Sequence, residues 1–174
     1  MATESKLRQL ADKGCPVYYF YSSERYLVRQ AVAQAVHILT ADSDEDATVL
    51  DGAAPEIEQL IMAAGTISFF GTRRVVILPE LEPGSYSDKD IDELNSTLSS
   101  LENAVVVMGS VFELERSRLK LGKRAQKLIA QCKGLGYTEE LAKPKPFELK
   151  MMMIDRAREQ GTTLPDGAAA ALLE

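Results

Sequence analysis

Residues 17–21, 75–78 and 104–108 are short runs in which every neighbour is apolar or aromatic, and longer stretches of helical period lie between them. A strand with one face in water alternates apolar with polar residues, so unbroken runs such as Val75-Val76-Ile77-Leu78 belong to strands covered on both faces. The intervening stretches carry apolar residues at helical spacing. Val28, Val32, Ala35, Val36 and Leu39 mark one helix, for which Ser22 and Ser23 offer an N-cap. Ile57, Leu60, Ile61 and Ala64 mark a second, with Pro55 in its first turn and Gly65 at its close. Ile91, Leu94, Leu98 and Leu101 follow a cap at Ser87 or Asp88, and Leu121, Ala125, Leu128, Ile129 and Cys132 mark a fourth helix. Residues 48–50 and 135–138 add a short second and a weak fifth strand. This order predicts an α/β fold, a parallel five-stranded sheet flanked by helices on both faces.

Pro144 and Pro146 break the pattern, and a new helix with Phe147, Met151 and Ile154 runs to Gly161. A further helix is expected over 164–173. The predicted boundary lies near Lys143, dividing the chain into 1–143 and 144–174. The sequence stops within the apolar run Leu172-Leu173, as expected of a piece of a longer protein. Its 174 residues suffice for one full domain and the start of a second.

A net charge of −6 excludes a surface dominated by nucleic-acid contacts, while leaving room for a local basic stripe. No stretch approaches the ~18 apolar residues of a membrane-spanning helix. The polar opening 1–13 has no apolar signal region, so Cys15 and Cys132 are expected as reduced thiols in a cytoplasmic protein.

The chemistry that a parallel sheet usually hosts is missing. Ligands of such sheets bind beyond the carboxyl ends of the strands. A phosphate loop needs glycines, a Lys and a Ser or Thr at the first strand-to-helix turn. That turn reads Tyr21-Ser22-Ser23-Glu24-Arg25-Tyr26, with no glycine and a Glu that repels phosphate. The third strand ends in Leu78-Pro79-Glu80. Pro79 stands where a metal carboxylate would be, and Glu80 is expected as a solvated loop residue. His37 is the sole histidine and is expected to be structural or at the surface. The cysteines lack metal-ligand spacing. The acidic cluster Asp42, Asp44, Glu45 and Asp46 is expected to be a solvated loop. No catalytic residue, cofactor or metal is assigned.

One connection holds a different signal. Between Gly65 and Arg73 lies Thr66-Ile67-Ser68-Phe69-Phe70-Gly71-Thr72. Neighbouring side chains of an extended segment point in opposite directions, so Phe69 and Phe70 cannot easily enter one core together. An exposed aromatic of this kind suits a protein partner. Arg73 and Arg74 follow, placed to ring a partner's pocket or to cap the preceding helix.

Residues 16–21 followed by Ser23-Glu24-Arg25-Tyr26-Leu27 resemble the opening strand and helix of the bacterial DNA polymerase III delta subunit. Ser68-Phe69-Phe70-Gly71-Thr72-Arg73-Arg74-Val75-Val76-Ile77 is similar to that family's most recognisable stretch. The resemblance implies an AAA+ fold of P-loop NTPase type without a working nucleotide site, followed by the start of a small helical lid domain. It implies the clamp-loader role of binding the β sliding clamp and favouring an opened ring for loading onto primed DNA. Clamp-binding residues would be Ile67, Ser68, Phe69, Phe70 and Gly71, with Thr66, Arg73 and Arg74 in support. The family more often has an aliphatic residue where Phe69 stands. Gamma/tau and delta-prime subunits are the partners expected of the full-length protein. A basic helix around 116–127, with Arg116, Arg118, Lys120 and Lys123, would face DNA or simply be solvated. Three rivals stay open: an ATP-binding subunit of gamma or delta-prime type, a small metal-dependent α/β enzyme built on the acidic loop, and a DNA-binding module.

Overall fold

The computed structural model describes residues 2–41, 47–66 and 71–173. The acidic cluster at 42–46 and the predicted contact residues Ile67, Ser68, Phe69 and Phe70 lie outside the described residues. The chain forms two compact units, Met1–Leu141 and Ala142–Glu174.

In the first unit α1 (Glu4–Asp12) precedes β1 (Val17–Ser22), α2 (Arg25–Thr40), β2 (Thr48–Val49), α3 (Ile57–Gly65) and β3 (Arg74–Leu78). A 3-10 turn (Pro83–Ser85) leads to α4 (Asp88–Ser99) and β4 (Ala104–Val111). A hairpin of β5 (Leu114–Glu115) and β6 (Arg118–Leu119), then α5 (Lys123–Leu135) and β7 (Tyr137–Glu140), complete it. The main sheet has the order β2-β3-β4-β1-β7, and every pairing in it is parallel.

The apolar runs are the interior strands. Every residue of β1 is buried, as are seven of the eight in β4. Period-two alternation divides β1 between two cores. Val17, Tyr19 and Tyr21 pack with Leu60 of α3, Leu94 and Leu98 of α4 and Leu128 of α5. Tyr18 and Phe20 pack with Leu7 of α1 and with Val28, Ala31 and Val32 of α2. Each such aliphatic side chain contributes roughly 1.5–3 kcal/mol through burial. A slip of one residue in β1 would exchange the two sets, so the register is strongly fixed.

Several local expectations are corrected. Neither Ser22 nor Ser23 caps α2; its N-cap is Glu24, and Ser22 is the buried last residue of β1. Pro55 precedes α3 rather than opening it, and its carbonyl accepts a hydrogen bond from Tyr86 Oη at 2.6 Å. Ile61 is not part of the buried face of α3, being 48% exposed. The fifth strand lies two residues later than expected, at Tyr137–Glu140, and pairs with β1 at the sheet edge. Leu121 lies before α5, which begins at Lys123. The α1 helix was not anticipated. Ser87 does cap α4: its hydroxyl accepts from the Asp90 N–H at 3.1 Å while the Asp90 carboxylate accepts from the Ser87 N–H. Such a cap stabilises by about 1 kcal/mol.

The second unit holds α6 (Pro146–Glu159) and α7 (Asp166–Ala171). Pro146 occupies the first turn of α6, where its missing N–H costs nothing. Lys150 Nζ meets Asp166 Oδ1 at 2.7 Å and ties the two helices together. Ala169 is the buried residue of α7, whereas Phe147, Met151 and Leu172 are exposed.

Candidate functional site

In a parallel sheet all carboxyl ends lie on one edge and all amino ends on the opposite edge. At the carboxyl edge, where a nucleotide would sit, the polar groups are spent on one another. The Ser22 hydroxyl donates to the Leu141 carbonyl at 2.6 Å and accepts from the Glu24 N–H at 3.1 Å. Ser110, near the end of β4, donates to the Leu81 carbonyl at 2.6 Å, which leaves its oxygen to accept from the Tyr19 hydroxyl at 2.7 Å. Burial pushes the Tyr19 phenol above its ordinary range.

Glu80, just past β3, is exposed as expected, and it takes two partners. Its Oε1 accepts from Arg25 at 2.7 Å and from Arg29 at 2.9 Å. The hydrogen bond from Arg29, then the charge of Arg25, holds its carboxyl below the usual range. The guanidiniums that a phosphate might attract are thus already paired to an anion. Gly109 of β4 closes the edge from below. A Cβ there would lie 2.7 Å from Val28 Cγ1 and 2.8 Å from the Pro79 carbonyl oxygen. Sequence reasoning missed Arg25 and Arg29. Their i, i+4 spacing on a helix facing a strand-end Glu was the available signal.

The opposite edge carries the predicted contact segment. Thr66 follows the last turn of α3 and its hydroxyl donates to the Met62 carbonyl at 3.0 Å. Gly71 has a left-handed φ of 69°, which favours glycine at that turn. Arg73 is half-buried, with its guanidinium donating to the Ala104 carbonyl at 3.4 Å, and the Arg74 N–H donates to Asn103 at 2.9 Å as β3 begins. Beside them Ile61 and Met62 are 48% and 69% exposed. A groove of about 660 Å³ runs past Ile61, Thr66, Gly71 and Thr72 to Thr97 and Leu101.

The expected DNA-facing residues are not on one helix. Arg116 lies in the hairpin turn, Arg118 on β6 and Lys120 just after it, and only Lys123 is helical, as the first residue of α5. They follow the carboxyl end of β4, so the structure does not bring them together with Thr66, Gly71, Arg73 and Arg74. His37 is exposed in the last turn of α2. Cys15 and Cys132 are free and buried, and burial pushes the Cys132 thiol up to about 12. Among the described residues no cluster of three metal-ligating side chains occurs, and no helix is long and apolar enough to cross a membrane.

No family model and no curated protein matches the sequence. Solved structures do match the backbone. A DNA clamp loader delta protein of Bacillus subtilis superposes with a TM-score of 0.61 at 22% identity, over 98% of this chain and 52% of that one. The first unit has the AAA+ fold. A RuvB variant of Thermotoga maritima gives 0.60 at 12% identity, covering 98% of this chain and 54% of its own. A DNA polymerase III gamma subunit-related protein of the same organism gives 0.57 at 16%, covering 91% and 52%. The chain spans about half the length of each. Within the AAA+ fold the Ser22–Arg25 turn occupies the phosphate-loop position and Glu80 follows the metal-carboxylate position. Here both are occupied by internal hydrogen bonds and ion pairs.

Proposed function

We propose that this chain is the N-terminal part of a clamp-loader delta subunit. In this reading Phe69 and Phe70 form a hydrophobic plug that binds the β sliding clamp and favours ring opening for loading onto primed DNA. One observation carries it. The last turn of α3 leaves Ile61 and Met62 in solvent immediately before the Phe-Phe segment, so apolar surface is already uncovered at its base. The internally satisfied carboxyl edge supports the same reading, since a subunit that only grips needs no nucleotide chemistry.

The mechanism is differential binding. A ring is driven open only by contacts that are better with the open interface than with the closed one. The plug supplies affinity; Ile61, Met62 and the arginines at 73 and 74 supply neighbouring contacts that discriminate between interface states. ATP hydrolysis falls to gamma/tau subunits, which the full-length protein would join together with delta-prime. The two free buried thiols fit a reducing, cytoplasmic setting.

A second reading is an ATP-binding subunit of gamma or delta-prime type, favoured by the likeness to the gamma-related structure. The engagement of Arg25 and Arg29 by Glu80 speaks against it. Calorimetric titration of the chain with β sliding clamp, and separately with MgATP, decides between them. The delta reading expects clamp binding without nucleotide binding. Micromolar ATP affinity without clamp binding would replace it with the second.

A further inference from the structure

The β5–β6 hairpin has properties that clamp binding does not use. Leu114 lies opposite Leu119 and Glu115 opposite Arg118, and the Lys120 N–H donates to the Glu113 carbonyl at 2.8 Å. The two connecting residues, Arg116 and Ser117, both have positive φ, 51° and 66°. Two successive left-handed residues form the hairpin turn that matches strand twist, and Asn-Gly fills it with least strain. Arg and Ser each bring a Cβ into that region at a cost in stability. A turn needed only for its shape would not have to hold an arginine at its tip.

The charges around it are sorted in an unusual way. On α5, Arg124 is paired with Asp88 at 2.9 Å, and Lys127 is paired with Asp92. Arg116, Arg118, Lys120 and Lys123 are all exposed, and none of them has an ion pair among the described residues. Glu113 and Glu115 offset two of these four cations, which leaves local positive charge on a chain whose net charge is −6. Arg118 and Lys120 are two apart on an extended strand, so they share a face about 7 Å from each other. That is the advance of two phosphates along one strand of a duplex, about 3.4 Å each.

We propose that this hairpin contacts the phosphate backbone of a nucleic-acid duplex, with Arg116, Arg118, Lys120 and Lys123 as its cations. The guanidinium fork of an arginine matches a phosphate bidentately, and lysine adds point charge. A two-stranded ribbon also fits the major groove, about 12 Å wide. The contact reads no sequence, because phosphates carry none. It does not depend on the clamp assignment, since it involves neither α3 nor residues 66–74.

The test uses the whole chain and a fluorescein-labelled 20-base-pair DNA duplex, with anisotropy measured over a series of salt concentrations. Binding that weakens with salt is expected. Replacing Arg116, Arg118 and Lys120 together by alanine is expected to weaken binding about tenfold at low salt and to flatten the log–log salt slope by about 0.9 for each phosphate that is no longer neutralised. Arg124→Ala with Lys127→Ala is expected to leave the slope unchanged. Arg116→Asn with Ser117→Gly separates shape from charge: the melting temperature is expected to rise while duplex affinity falls. The proposal is overturned if the triple variant binds as wild type does, or if wild type shows no salt-dependent binding. Capture by phosphatidylserine vesicles without binding to duplex would also overturn it, as would a stabilised Asn-Gly variant with unaltered affinity.

Discussion

The carboxyl and amino edges of the main sheet are finished in opposite ways. At the carboxyl edge, Ser22, Ser110, Tyr19, Glu80, Arg25 and Arg29 satisfy one another, and Gly109 lets β4 lie against Pro79 and α2 with no room for a methyl group. At the amino edge α3 ends with Ile61 and Met62 in water. α/β proteins usually place ligands at the carboxyl edge. Here the architecture is kept while the usual site is filled in, and the unfinished surface has moved to the other side. Binding without chemistry is what such an arrangement supports.

If the carboxyl edge is sealed as tightly as Gly109 implies, Gly109→Ala should cost about 3 kcal/mol in chemical denaturation, the upper end for overpacking. A loss too small to resolve would mean that the edge has slack. At the other edge, Phe70→Ala should weaken clamp binding by about 2 kcal/mol, roughly 30-fold, without a matching loss of stability. Clamp affinity within a factor of two of wild type would remove Phe70 from the mechanism. Ile61→Ser with Met62→Ser sharpens the contrast. Stability should stay within about 0.5 kcal/mol, because both side chains are already wet. Clamp affinity should fall by about 1 kcal/mol; if stability falls and affinity does not, the patch is core rather than contact.

The smallest effect concerns alkaline pH. Burial raises the Tyr19 phenol and lifts the Cys132 thiol from 9.0 to about 12, so the folded chain keeps protons that the unfolded chain releases. Stability contributed by these groups is complete below pH 9 and drains away as pH climbs toward 12. The urea midpoint should therefore fall between pH 9 and 11, and fall less steeply in Cys132→Ala. Parallel curves for the two proteins would show that the thiol titrates as if exposed.

The interior of this fold was legible because burial on both faces leaves β1, β3 and β4 with little but apolar residues, a signal that survives without knowledge of their neighbours. The capped start of α4 was legible for a local reason, the Ser87–Asp90 spacing. Elsewhere tertiary demands overrode local ones. Ser22 looks like a helix cap, yet its hydroxyl serves the Leu141 carbonyl, far away in sequence. α1 escaped notice because a charged stretch hides a narrow apolar stripe around Leu7, its one buried side chain. The basic run 116–127 reads as one helix by composition, but Arg116-Ser117 makes a turn that carries none of the usual Asn or Gly signals. For the candidate site, sequence alone picked out the Phe-Phe segment and the missing phosphate loop. The wet last turn of α3 could not be read, because Ile61 has the spacing of a buried residue and only the sheet's position decides otherwise.

The double pairing of Glu80 has a mechanical side. Arg25 and Arg29 stand one turn apart, so α2 is bolted to the end of β3 at two successive rungs. A helix fastened this way cannot pivot about its first turn as an empty nucleotide pocket would permit. The corner that in a fuel-burning relative would flex with each cycle is a rigid strut here, and a load taken up at the far edge of the sheet passes through it undamped.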